Sequence, residues 1–241
     1  MAAKKTGSEE TSRKKMANKK PAAKRTKTPE SDASEAEDAG SKKGASPAVD
    51  LATSILSGES DRTITELGDD LASGKKSVAA AAARILDEIV DKDADAVVPI
   101  IDRYVAVISG SDKRPAQSAA KALPQMARIA PARVARHLAK LKAGYDAATP
   151  YGKDGLVRTF AGLCTASVAY QKRLEDVLNK ALAGADHKTL IQWTEVVLPA
   201  LKGEPHARAR ATVEGRLGGI PKVSAQRIAD FLGIKLRLRY H

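Results

Sequence analysis

One apolar signature recurs four times along this chain at a near-constant spacing. Leu86, Leu123, Phe160 and Leu198 stand 37, 37 and 38 residues apart. Ile89, Met126, Leu163 and Leu201 follow three residues behind them, on the same face of a helix. A second set comes after each of the first three. Val97, Ile101 and Tyr104 return 37 residues later as Val134, Leu138 and Leu141, and after a further 40 as Leu174, Leu178 and Ala181. The three additional residues of that last interval are expected in the turn at 165–169. Each unit therefore reads as two amphipathic helices. One such pair cannot bury its apolar faces, whereas stacked copies can.

Turn signals punctuate the helical stretches: Gly58, Gly74, Gly110, Pro131, Pro150, Gly184, Gly203 and Gly218–Gly219. Alternation of the β type is confined to the last few residues. The expected fold class is all-α: about four helix pairs over residues 76–234, preceded by two short capping helices near 51–56 and 64–71 within 46–75. Runs of alanine at 79–83 and 119–120 favour helix and let neighbouring helices approach closely. Pro124 and Pro199 occupy one repeat position in mid-helix, where each removes a hydrogen bond and either kinks the helix or breaks it. Over residues 76–220 the pattern resembles the HEAT-like repeat family. That resemblance implies an α-solenoid whose second helices line the concave surface. It implies no particular function.

Charge divides the chain unevenly. Residues 1–28 hold ten bases against two acids, and residues 29–41 hold five acids and no base. No Leu, Ile, Val or aromatic residue is found before residue 46. A segment so poor in apolar surface cannot offset its ordering entropy, so 1–45 is expected to be a disordered tail. Its Lys/Ala/Pro blend, with Lys14, Lys15, Lys19, Lys20, Lys24, Arg25 and Lys27, resembles the tails of histone-H1-like chromatin and nucleoid proteins. The same run serves equally as a nuclear import signal or as a solubilising tail. Residues 46–111 carry a net charge of −6 and residues 112–241 a net charge of +13.

The basic half organises into columns. Six residues beyond Val97, Val134 and Leu174 lie Arg103, Lys140 and Lys180. Just before the last two anchors lie Arg133 and Arg173. Residues seven apart share a helix face, so stacking would align these cations into a stripe, with Arg136, Lys172, Arg208 and Arg210 nearby. Four units give a groove of about 40 Å, comparable with one turn of B-DNA at ~34 Å. The expected role is therefore non-enzymatic, sequence-independent binding of nucleic acid, DNA ahead of RNA. The alternative is a scaffold holding an acidic protein. An ordinary solvated helix face stands as the bland reading of the same residues.

Near the C-terminus, residues 224–234 resemble the first helix and turn of a helix-turn-helix, but the chain ends at His241, too soon for a full recognition helix. The simpler reading is a final helix capped by Ser224 and Gly233, followed by a basic tail or short strand at 235–241.

Enzymatic signals are sparse. His137, His187, His206 and His241 lack metal-ligand spacing. The one cysteine, Cys164, excludes an internal disulfide and falls in line with Val90 and Ala127 on a buried face. The run at 215–219 lacks the Lys-Ser/Thr of a phosphate-binding loop. Alkylpurine DNA glycosylases of the AlkD type also use a basic HEAT-like solenoid. They present several tryptophans and a catalytic Asp, whereas this chain has only Trp193, read as a packing residue. Asp176 would be the carboxylate to try. No cofactor, metal or membrane contact is expected. A soluble protein of the cytoplasm follows, associated with the nucleoid in a bacterium or the nucleus in a eukaryote.

Overall fold

Apolar spacing over residues 46–236, the part that the computed structural model describes, is converted into twelve α-helices. The chain divides after Lys43 into two units, and these residues all lie in the second. The expected tail at 1–45 and the residues 237–241 lie outside the described residues. No strand is present among the described residues.

Two short helices come first, α1 (Pro47–Ser57) and α2 (Ile64–Leu71). Thr63 starts α2 with a reciprocal cap: its hydroxyl accepts from the Glu66 amide, and Glu66 accepts from the Thr63 amide. The helices α3 (Lys76–Lys92), α5 (Lys113–Ile129), α8 (Pro150–Ala166), α10 (His187–Ala200) and α12 (Lys222–Leu232) continue a first layer begun by α1. They pack in chain order, α1 on α3, α3 on α5, α5 on α8, α8 on α10 and α10 on α12. A second layer holds α2, α4 (Ile101–Val107), α6 (Pro131–Ala135) with α7 (Leu138–Gly144), α9 (Val168–Gly184) and α11 (Gly203–Arg216). One continuous apolar core runs between the layers. All eight first-helix anchors are buried in it.

The repeat is visible in the backbone itself. Asp93, Ala130 and Ser167, spaced by 37, each leave the helical region (φ −150°, −130° and −158°) and separate a first helix from its partner. Ile100 and His137, also 37 apart, adopt nearly the same bridge conformation, φ −103° ψ 20° and φ −96° ψ 8°. This splits the second helix of each of those units.

The expected three-residue insertion at 165–169 is not there. Ser167 alone links α8 to α9, its hydroxyl accepting from the Ala169 amide at 3.2 Å. The 37-residue register therefore continues through α9. Val97, Val134 and Gln171 form one buried column, Tyr104, Leu141 and Leu178 a second, and Ile108, Tyr145 and Leu182 a third. Leu174 takes the place of Ile100 and His137. The apparent spacing of 40 arose because Gln171, a polar residue, fills an apolar column. Its amide donates to the carbonyls of Cys164 (2.9 Å) and Ala200 (3.2 Å) and accepts from the Lys202 amide (3.0 Å). These bonds satisfy every polar demand of its burial and pin the turn between α10 and α11.

Two further expectations change. Pro199 is not in mid-helix: α10 ends one residue later at Ala200. Pro124 does lie inside α5, which runs unbroken to Ile129. Ser224 does not cap α12. The helix starts at Lys222 after the extended residues Ile220 and Pro221, which turns Ser224 inward to a buried position. Gly233 closes the helix in the left-handed region at φ 68°.

The layers differ in how their helices meet. Between α5 and α8 the contact is made by the smallest side chains. A β-carbon at Gly155 would stand 2.4 Å from the Cα of Ala120, and one at Gly162 would stand 3.2 Å from the β-carbon of Ala127. Pro124 contributes here, because its missing N–H leaves the Ala120 carbonyl without its usual donor. In the second layer α2 packs on α4 and α9 on α11, while α7 stands apart from both α4 and α9 and leaves open grooves.

Candidate functional site

Exposed cationic side chains stand on α6, α7, α9 and α11. Neighbouring acids then decide which of them stay available. Arg103 on α4 donates from Nε to Asp69 on α2 at 2.7 Å and is also paired with Asp102. Its pKa is held above the ordinary guanidinium value, first by the bond to Asp69 and then by the charge of Asp102. Lys180 donates to both oxygens of Asp146, at 2.7 and 2.8 Å. Arg208 reaches Glu175 at 3.1 Å and Glu204 at 3.4 Å. Arg210 bonds Glu214 at 2.7 Å and the Leu232 carbonyl at 3.1 Å. These four expected site residues are neutralised or engaged within the fold.

The other five expected residues of the folded part are not. Arg133, Arg136, Lys140, Lys172 and Arg173 are all exposed, and among the described residues no carboxylate forms an ion pair with any of them. Arg133 and Arg136, with His137, form one wall of a groove of about 270 Å³ between α4 and α6–α7. Val98, Pro99 and Ile101 line it too, with Asp102. Lys172 and Arg173 line a second groove, of about 510 Å³, between α7 and α9, with Leu138, Ala139, Lys142 and Asp176. Lys142 spans this groove and donates to the Arg173 carbonyl at 2.7 Å. Neither groove has a Phe, Tyr or Trp in its lining.

The corrected register changes which cations correspond. Arg136 stands six residues after Ala130, Arg173 six after Ser167 and Arg208 six after Lys202, the residues that precede α6, α9 and α11. The arginine column is therefore Arg136, Arg173 and Arg208. The columns expected from the sequence, Arg133 with Arg173 and Lys140 with Lys180, are displaced. Arg173 and Lys180 do share the face of one unbroken helix, α9. Arg133 and Lys140 lie on either side of the bend at His137. The tail residues Lys14, Lys15, Lys19, Lys20, Lys24, Arg25 and Lys27 lie outside the described residues.

Sequence reasoning missed the neutralising acids, although a signal for them exists. Asp69 precedes Arg103 by 34 residues, Asp146 precedes Lys180 by 34, and Glu175 precedes Arg208 by 33. One repeat less one helical turn is the offset that reaches the facing residue of the preceding second helix.

Other polar clusters are internally satisfied. Trp193 is buried and donates from Nε1 to Asp154 at 2.9 Å, and Arg158 binds the other oxygen of Asp154 at 2.8 Å. Trp193, Tyr145, Lys153, Lys180, Asp146 and Asp186 are among the residues around a cleft of about 340 Å³ whose cations are taken: Lys180 is paired with Asp146, and Lys153 lies 5.7 Å from the centre of the Tyr145 ring. Cys164 is buried, and burial pushes its thiol up to about 12, so it holds no thiolate at neutral pH. Among the described residues no group of three His, Cys, Asp or Glu side chains is placed to hold a metal ion. No helix among them is long and apolar enough to cross a membrane.

Neither the known protein-family models, nor the curated proteins, nor the solved structures contain a match to this chain.

Proposed function

We propose that the protein binds nucleic acid, DNA in the first place, without reading its sequence and without catalysing a reaction. In this reading the stacked helix pairs are a HEAT-like solenoid, and α6, α7 and α9 carry its binding surface. The observation that carries the proposal is the group of five exposed cations, Arg133, Arg136, Lys140, Lys172 and Arg173, that have no carboxylate partner among the described residues. They sit on adjacent helices of a region whose net charge is +13. Unpaired guanidinium and ammonium groups on a convergent surface take up phosphate oxygens and release condensed counterions. With no Phe, Tyr or Trp in either groove, no base-stacking platform is built there, and little sequence preference follows. The basic residues of 1–28 add a second weak site in the same chain and raise avidity. Such a protein would work on the nucleoid of a bacterium or in the nucleus of a eukaryote.

The apolar floor that Leu138 and Ala139 give the α7–α9 groove favours a second reading, in which the groove holds an acidic protein segment. The two readings part on competition, since a protein partner would be retained when DNA is added.

Fluorescence anisotropy of a labelled 30-base-pair duplex tests the proposal across a salt series, with the whole chain and with a version lacking residues 1–45. Five phosphate contacts give a log–log salt slope of about −4 to −5 for the shorter version. Binding that vanishes with residues 1–45 would place the activity in the tail and overturn the role given to the grooves.

A further inference from the structure

Three of the four engaged cations of the second layer share one kind of partner. Arg103, Lys180 and Arg208 each meet an acid 33 or 34 residues earlier, on or beside the preceding second helix. The same offset carries Arg216 to the Leu182 carbonyl. It fails for the free cations for a plain reason of sequence. Thirty-four residues before Arg133, Lys140, Lys172 and Arg173 stand Pro99, Ala106, Leu138 and Ala139. Arg136 does face an acid at this offset, Asp102, but Asp102 is taken by Arg103.

We propose that this acid–base offset sets the limits of the polyanion-binding patch, and that Asp146, Glu175 and Glu204 act as built-in stand-ins for phosphate that hold Lys180 and Arg208 out of it. The inference rests on the nucleic-acid reading and says which cations that reading uses. A phosphate approaching Lys180 meets a neutral pair, because the Asp146 carboxylate repels it about as strongly as the ammonium attracts it. On one side the patch ends at Asp69 and Asp102, and on the other at Asp146, Glu175 and Glu204. Arg133 and Lys140 lie seven residues apart across the bend at His137, a helical rise of at most ~10 Å, and neighbouring helices lie ~8–10 Å apart. The patch therefore suits a short phosphate stretch, about half a turn of duplex, not the 40 Å length of the whole stack.

The test counts engaged cations through the salt slope of the full-length chain on the 30-base-pair duplex. Asp146→Asn releases Lys180 and is expected to steepen the slope by about 1. Glu175→Gln with Glu204→Gln is expected to do the same through Arg208. Lys180→Gln alone leaves the slope where it was, and in the Asp146→Asn background it cancels the gain. Asp176→Asn removes a groove carboxylate that holds no cation, so it raises affinity without steepening the slope. Lys180 and Asp146 are both well exposed, with side chains 60% and 69% accessible, so the fold survives the changes at these two positions. Circular dichroism checks that it does.

Wild-type binding with an unmoved slope in Asp146→Asn overturns the inference alone, as does a slope flattened by about 1 in Lys180→Gln. Absence of wild-type binding overturns the nucleic-acid reading and the inference together.

Discussion

The α5–α8 seam of the first layer and the surroundings of α7 in the second solve the same stacking problem by opposite means. In the first layer, α5 meets α8 through Gly155, Gly162, Ala120 and Ala127, with backbones in direct contact. In the second, α7 stands off from α4 and α9. Around α7 the layer is bridged instead by Lys142 to the Arg173 carbonyl and by Lys180 to Asp146. Close packing of small side chains leaves no groove between these two helices. A layer joined by long polar side chains leaves grooves, and its surface composition is free to vary. The α5–α8 seam thus carries the tight packing, and the grooves beside α7 are where the proposed binding surface lies.

Glycine substitutions break the comparison most sharply. Gly155→Ala drives a methyl group into the Ala120 backbone and is expected to cost about 3 kcal/mol or more in denaturant unfolding. Gly215→Ala in α11 places its methyl group in open space, and the gain in helix propensity should stabilise by about 0.5 kcal/mol. Equal costs at the two positions would erase the distinction between layers.

Charge reversal probes the second layer from the other side. Arg133→Glu with Arg173→Glu is expected to weaken duplex binding more than tenfold, since each replaced phosphate contact is lost and made repulsive. The unfolding free energy should move by less than about 0.5 kcal/mol.

Smaller effects come from the caps. The Asp186 carboxylate accepts from the Thr189 hydroxyl (2.6 Å) and amide (3.1 Å) and from the Lys188 amide (2.9 Å). The Thr189 hydroxyl, then its amide, pulls the Asp186 pKa below the ordinary 3.8. Because the native pKa is the lower one, the cap's contribution is full at neutral pH and disappears as the pH falls from about 4 through the native value. Asp186→Ala should cost about 1 kcal/mol at pH 7 and markedly less at pH 2, measured by denaturant titration at both. The smallest effect expected is at Cys164: its buried thiol should resist alkylation in the native protein and react only as the first layer unfolds.

The repeat was legible in the sequence wherever burial coincided with hydropathy. Leu86, Leu123 and Phe160 mark the first helices without ambiguity, and the short helices expected near 51–56 and 64–71 are found at Pro47–Ser57 and Ile64–Leu71. Legibility failed where a polar residue did apolar duty. Gln171, buried by three hydrogen bonds, hid the third repeat's register and shifted the basic columns with it. The free cations were visible one by one. That only five of nine stay unpaired depends on an offset between neighbouring helices, which cannot be measured until the register is right. The break at His137 had no composition signal, because its repeat counterpart is an isoleucine in the same backbone conformation.

The most direct test of the account is the affinity of residues 46–241 for the labelled duplex at low salt, compared with the same segment carrying Arg133→Glu and Arg173→Glu. The account predicts binding by the first and its near-complete loss in the second. Equal binding by both, or none by the first, would contradict it.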